Sequence, residues 1–123
     1  MNAPRFFRHV RLQTAENNAP PLRRDERSDG VRVLQQALID LGFAMPKSKP
    51  RHTAEPDGIF GGETAATVTS FQRRQRLKPD GIAGRLTLRR LDQIFLTNDP
   101  FFGRPFRDNP RSFAYLSSRF PPA

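Results

Sequence analysis

Apolar residues recur along the middle of this chain with the period of a helix. Leu34, Ala37, Leu38 and Leu41 stand at i, i+3, i+4 and i+7, one face of a helix that begins after Ser28-Asp29-Gly30 and is capped by Gly42. A second run, Glu63 to Arg76, aligns Thr64, Val68, Phe71 and Gln75 on one stripe and turns Arg73, Arg74 and Arg76 away from it. Pro79 ends that run, because it forces the residue before it out of the α region. A third, from about Leu86 to Leu96, offers Leu88, Leu91, Ile94 and Phe95 to a core and stops at Asn98-Asp99-Pro100. The flanks carry no such period. Residues 1–27 read as an extended N-terminal arm with a short ordered piece around Phe6 to Leu12, and residues 44–56, with three Pro, read as a loop.

The links between the helices say more than the helices. Asp57-Gly58-Ile59-Phe60-Gly61-Gly62-Glu63-Thr64 and Asp80-Gly81-Ile82-Ala83-Gly84-Arg85-Leu86-Thr87 share the form D-G-I-x-G-x-x-T, and each opens a helix. Asp-Gly is a turn dipeptide: the carboxylate accepts from backbone just ahead, and glycine takes positive φ without a Cβ clash. The apolar residues inside the first turn predict that at least one of Ile59 and Phe60 points inward and fastens the turn to the core. A large apolar residue followed by glutamine precedes each turn, as Leu34-Gln35 and Phe71-Gln72. The chain is an internal duplication: helix, loop, turn, helix, loop, turn, helix.

With these residues in register, the sequence resembles the small three-helix peptidoglycan-binding domain of cell-wall hydrolases and spore-cortex enzymes. The resemblance rests on Val31, Leu34-Gln35, Leu38, Leu41-Gly42-Phe43, both turns, Val68, Phe71-Gln72 and Leu91, and covers about residues 30 to 96. It implies an all-α fold, a small three-helix bundle, and a groove beside the turns that receives the stem peptide and adjacent sugar of peptidoglycan. The contacts it implies are Phe60, Gly61, Thr64, Gln72, Arg85 and Thr87. Asp57, Gly58, Asp80 and Gly81 are what tight turns require whatever is bound. Thr64, Thr87 and the glutamines fit either a ligand or their own turn. Because Ala83 stands where the first turn has Phe60, the two turns are not equivalent, and the Phe60 side is the expected binding side.

Lys and Arg number 21 against 12 Asp and Glu, a formal charge of +9, which favours anionic partners. There is no Cys, so no disulfide or thiolate braces the core. No stretch approaches the ~20 apolar residues of a membrane span. Met1-Asn2-Ala3-Pro4-Arg5-Phe6-Phe7-Arg8 is interrupted by charge and leads into no apolar segment, so no Sec-type leader is expected. A wall-binding protein of this kind reaches the wall or periplasm by another route.

Catalysis is not expected. His9 and His52 lack metal-ligand spacing, no serine sits in a nucleophile elbow, and nothing sets Glu63 and Asp92 as a glycosidase pair. No cofactor and no metal are expected. Residues 97–123 hold five of the 11 Phe and five of the 12 Pro, interleaved with Arg, and Phe101, Phe102, Phe106 and Phe113 are the candidate partner contacts. The organisation that follows is an arm (1–27), the three-helix domain (28–96) and a Phe/Pro/Arg-rich tail (97–123). The leading reading is a non-catalytic peptidoglycan-binding module anchored to a larger assembly such as secretion, injection or phage machinery. Its alternative is a structural adaptor that keeps the fold and uses the tail for protein contact. Nucleic-acid binding by the arms has only charge in its favour.

Overall fold

A computed structural model of the chain describes residues 1–98 and contains four helices: α1 Val10–Glu16, α2 Asp29–Asp40, α3 Gly62–Arg74 and α4 Arg85–Asn98. The last three are the helices that the periodicity predicts. Ser28 caps α2, its Oγ accepting the Val31 N–H at 3.2 Å. Gly42, at φ +103°, closes the other end: the Gly42 N–H donates to Ile39 at 2.9 Å and the Phe43 N–H to Leu38 at 3.1 Å. Helix α3 ends with the same pair of bonds, Arg76 to Arg73 and Leu77 to Gln72, but the left-handed residue is Arg76 at φ +60°. The helix expected to run to Arg76 therefore stops at Arg74.

The core is assembled from all four helices. Leu34, Leu38, Val68, Phe71, Leu88 and Leu91 are buried, as their spacing predicts, Phe60 of the first turn is buried with them, and Gln75 on the α3 stripe is only half-buried. Phe43 meets Phe71 edge to face at 6.3 Å between ring centres.

The N-terminal arm is a correction to the sequence reading. Residues 1–27 are not an extended appendage and the bundle does not stop at three helices. Met1, Ala3, Phe6, Leu12, Ala15 and Leu22 join the core. Phe6 packs edge to face on Phe95 at 5.5 Å. The buried Asp92 carboxylate on α4 accepts the N–H groups of Asn2 at 2.9 Å and Ala3 at 2.8 Å. Arg11 on α1 then holds the outgoing chain, donating to Pro20 O at 2.8 Å, Pro21 O at 3.2 Å and both Glu26 oxygens at 2.6 and 2.7 Å. The period was not visible because α1 has seven residues, too few to show a repeating face.

The tail contacts proposed at Phe101, Phe102, Phe106 and Phe113 lie outside the described residues. Among the described residues no helix is long and apolar enough to cross a membrane.

Candidate functional site

Both turns are built by one glutamine each. Gln35 Oε1 accepts the Gly58 N–H at 2.9 Å, while Gln35 Nε2 donates to Ile59 O at 3.0 Å, Thr64 Oγ1 at 2.9 Å and Asp57 Oδ1 at 3.2 Å. Gln72 repeats this on Gly81 N (2.9 Å), Ile82 O (2.9 Å), Thr87 Oγ1 (2.9 Å) and Asp80 Oδ1 (3.0 Å). Each Asp carboxylate also accepts the N–H two residues on, at 2.9 Å in the first turn and 3.0 Å in the second. A primary amide suits the position because it offers an acceptor and two donors from one planar group. The duplication read from the sequence is thus a duplicated hydrogen-bond network.

A single segment, residues 22–28, which itself turns at Arg24-Asp25, carries both turns. Leu22 and Ala83 exchange two backbone bonds, at 3.0 and 2.8 Å. Phe60, at the equivalent place in the first turn, donates to Glu26 O at 2.9 Å and accepts from Asp25 N at 2.8 Å. At most about 18 Å of extended chain joins Leu22 to Arg27, so the turns share one edge of the domain.

The two helix starts differ in what stands over them. At α4 the chain covers its own turn: Asn18 Oδ1 accepts the Arg85 N–H at 2.9 Å, and a Cβ on Gly84 would lie 2.4 Å from that same oxygen and 3.3 Å from Pro21. At α3 a Cβ on Gly61 would meet nothing within 4 Å. Beside it, the loop 44–56 is fastened down. Glu63 accepts the N–H of Ser48 at 2.7 Å and of Lys47 at 3.0 Å, and the Asp57 N–H donates to Ser48 O at 2.8 Å. Met45, Ser48 and Pro56 are buried. Partial burial raises the pKa of Glu63, but the backbone N–H groups of Lys47 and Ser48 outweigh it and hold the carboxyl below its ordinary value. Glu26 is likewise lowered: burial opposes, and the Arg11 and Ser28 hydrogen bonds prevail.

A sequence model of the peptidoglycan binding domain matches residues 27–91, the stretch that contains α2, α3, both turns and the first half of α4. The chain belongs to this family. It is 34 % identical over 93 residues to the type VI secretion system spike protein VgrG3 of Vibrio cholerae, covering 67 % of this chain and 9 % of that protein. It is 40 % identical over 77 residues to the N-acetylmuramoyl-L-alanine amidase CwlM of Mycobacterium tuberculosis, covering 63 % of this chain and 16 % of that one. A crystal structure of a peptidoglycan-binding protein from Clostridioides difficile, in complex with glutamine hydroxamate, superposes with a TM-score of 0.53 at 28 % identity, over 68 % of this chain and 45 % of that chain. The chain spans less than half the length of each of these relatives.

Within this peptidoglycan-binding domain the residues singled out in the sequence divide by burial. Phe60 and Thr64 are fully buried, and Gln72 and Thr87 nearly so. Their expected place on an open groove is corrected: the hydroxyls and amides are engaged in the turns, and Phe60 is the inward staple. Gly61 is half-buried, and Arg85 is exposed. What sequence reading missed is the covering role of Asn18 and the Glu63 bond to the loop. Neither has a local signal, since both partners lie far along the chain.

Proposed function

We propose that this domain is a non-catalytic module that binds peptidoglycan at the cell wall, with the first turn as its contact face. The observation that carries this is the family match over residues 27–91. Gly61 and Gly62 form the open centre of the face, with Arg24 and Lys47 on its rim. The second turn contributes the exposed Arg85, while Asn18 and Pro21 already cover Gly84. Of the carboxylates near the turns, Glu63 holds the loop, Asp92 the N-terminal segment, and Asp57 and Asp80 their turns. That favours binding without chemistry.

Similarity to a secretion-system spike protein and to an amidase supports a module that works inside a larger assembly and reaches the wall or periplasm with it. Co-sedimentation with isolated sacculi at low and about 0.5 M salt tests the reading, since at ~0.5 M the screening length is only a few ångströms and simple charge adsorption fades. Salt-resistant pelleting that weakens in Gly61→Ser or Arg85→Ala is the expected result. A wild-type protein that stays in the supernatant overturns wall binding and leaves the adaptor.

A further inference from the structure

Two separate segments, the 22–28 strap and the 44–56 loop, bring basic residues to the first turn. Arg24 reaches across from the strap, its Nη2 lying 3.7 Å from where a Cβ on Gly62 would sit. Lys47 is fastened by its backbone N–H, bound at 3.0 Å to Glu63, the residue after Gly62, and its charge also acts on that carboxylate. Arg27 is held against Ile59 by the backbone bridge, and Arg51 stands on the loop. All four side chains are exposed. None of them has an acidic oxygen within 4.0 Å among the described residues.

The acids of the region are turned to other partners. Glu26 pairs with Arg11, Asp29 and Glu55 with Arg32, Glu63 with two backbone N–H groups, and Asp57 with its own turn. Asp25 and Asp57 stand at the surface without an ion-pair partner among the described residues, and of the two only Asp57 is bound into its turn. The rim therefore presents positive charge to whatever enters over Gly61. An N-acetylated glycan backbone is neutral, so the groups of peptidoglycan that complement this rim are the ionised carboxylates of its stem peptides. A guanidinium accepts such a carboxylate through two parallel N–H bonds, and an ammonium adds a point charge.

We infer that Arg24 and Lys47 read ionised stem-peptide carboxylates, so that the module discriminates against wall whose stem carboxyls are amidated. The inference rests on the peptidoglycan-binding reading and adds a chemical preference to it. Exposed ion pairs contribute modestly, so removing both cations together weakens binding about tenfold.

The test uses the full chain and two preparations of sacculi, one untreated and one whose carboxyl groups have been converted to amides with carbodiimide and ammonium. Binding isotherms by co-sedimentation at ~0.15 M salt compare wild type, Arg24→Gln/Lys47→Gln, and Arg73→Gln/Arg76→Gln, which removes the same charge at the other end of α3. Wild type and the Arg73/Arg76 variant are expected to bind untreated sacculi about tenfold more tightly than amidated ones. The Arg24/Lys47 variant is expected to bind both alike, with an unchanged urea midpoint. Equal wild-type binding to both preparations overturns the carboxylate preference and leaves wall binding standing. A preference that survives in the Arg24/Lys47 variant, or disappears equally in the Arg73/Arg76 variant, overturns this rim as its origin. No wild-type binding to either preparation overturns both readings.

Discussion

The side-chain amide of Gln35 donates to the hydroxyl of Thr64 at 2.9 Å, across a gap of 29 residues, and both groups are fully buried. The same bond closes the second turn between Gln72 and Thr87 at 2.9 Å. Replacing either glutamine with leucine keeps the volume but leaves a buried glycine N–H without a partner, and in the second turn the Ile82 carbonyl as well, whereas Ile59 O still accepts the Gly61 N–H at 3.0 Å. Each such orphan costs roughly 1–3 kcal/mol, so Gln35→Leu is expected to lose about 1–3 kcal/mol and Gln72→Leu about 2–5 kcal/mol in urea unfolding. Losses under about 1 kcal/mol would show that the turns hold without their clamps.

The left-handed positions sort the glycines. Gly81 sits at φ +75° with a Cβ position 3.1 Å from Thr69 Oγ1, so Gly81→Ala is expected to destabilise by about 1–2 kcal/mol. Gly61 caps α3 from extended backbone in open space, and Gly61→Ser should be neutral or gain a few tenths of a kcal/mol. Arg76 occupies φ +60° at the exposed end of α3, where glycine is preferred. Arg76→Gly is expected to stabilise by up to about 1 kcal/mol, read as a higher urea midpoint at unchanged slope.

Glu63 and Glu26 both have folded pKa values below the ordinary 4.5, so each contributes stability that is present above that value and is lost as pH falls through the lowered folded value. Wild type should therefore weaken on acidification below about pH 4.5. In Glu63→Gln the component tied to the loop is missing, and the gap between variant and wild type should close as the pH is lowered further into the acid range. Urea midpoints at a series of pH values decide it. A gap that widens in acid contradicts the assigned bonds.

The N-terminal segment is part of the core and not an attachment. Phe6→Ala removes a fully buried ring packed on Phe95 and is expected to cost about 3–5 kcal/mol. Asn18→Ala leaves the Arg85 N–H without its side-chain acceptor and should cost about 1 kcal/mol, as the loss of a helix cap does. Thermal or urea denaturation checks both. Near-zero changes would return residues 1–27 to the status of an arm.

These variants also mark where sequence reading stopped. Three of the four helices, the Gly42 cap, an inward residue at Ile59 or Phe60 and the duplication were legible, because each is fixed by neighbours within a few residues: a 3.6-residue period, an Asp-Gly turn, a glycine that accepts positive φ. Helix α1 was not, since seven residues show too little periodicity, and Asp92 anchors the chain start from the far end of the domain. The left-handed Arg76 was hidden because its residue type argues against that conformation.

The candidate site divides in the same way. Local sequence determined that two turns of one design exist and which residues make them. Tertiary structure decided which turn stays open, because Asn18 and Pro21 are brought over Gly84 while nothing stands over Gly61. It also decided that Thr64, Gln72 and Thr87 face inward, and that Arg24 comes beside Gly62 and the Lys47 backbone onto Glu63. The physical reason is one of range. Backbone preference and hydrophobic period act between neighbours and can be read in order along the chain. Which polar group is covered, and which cation keeps no acidic partner, depends on segments that come together only when the core closes.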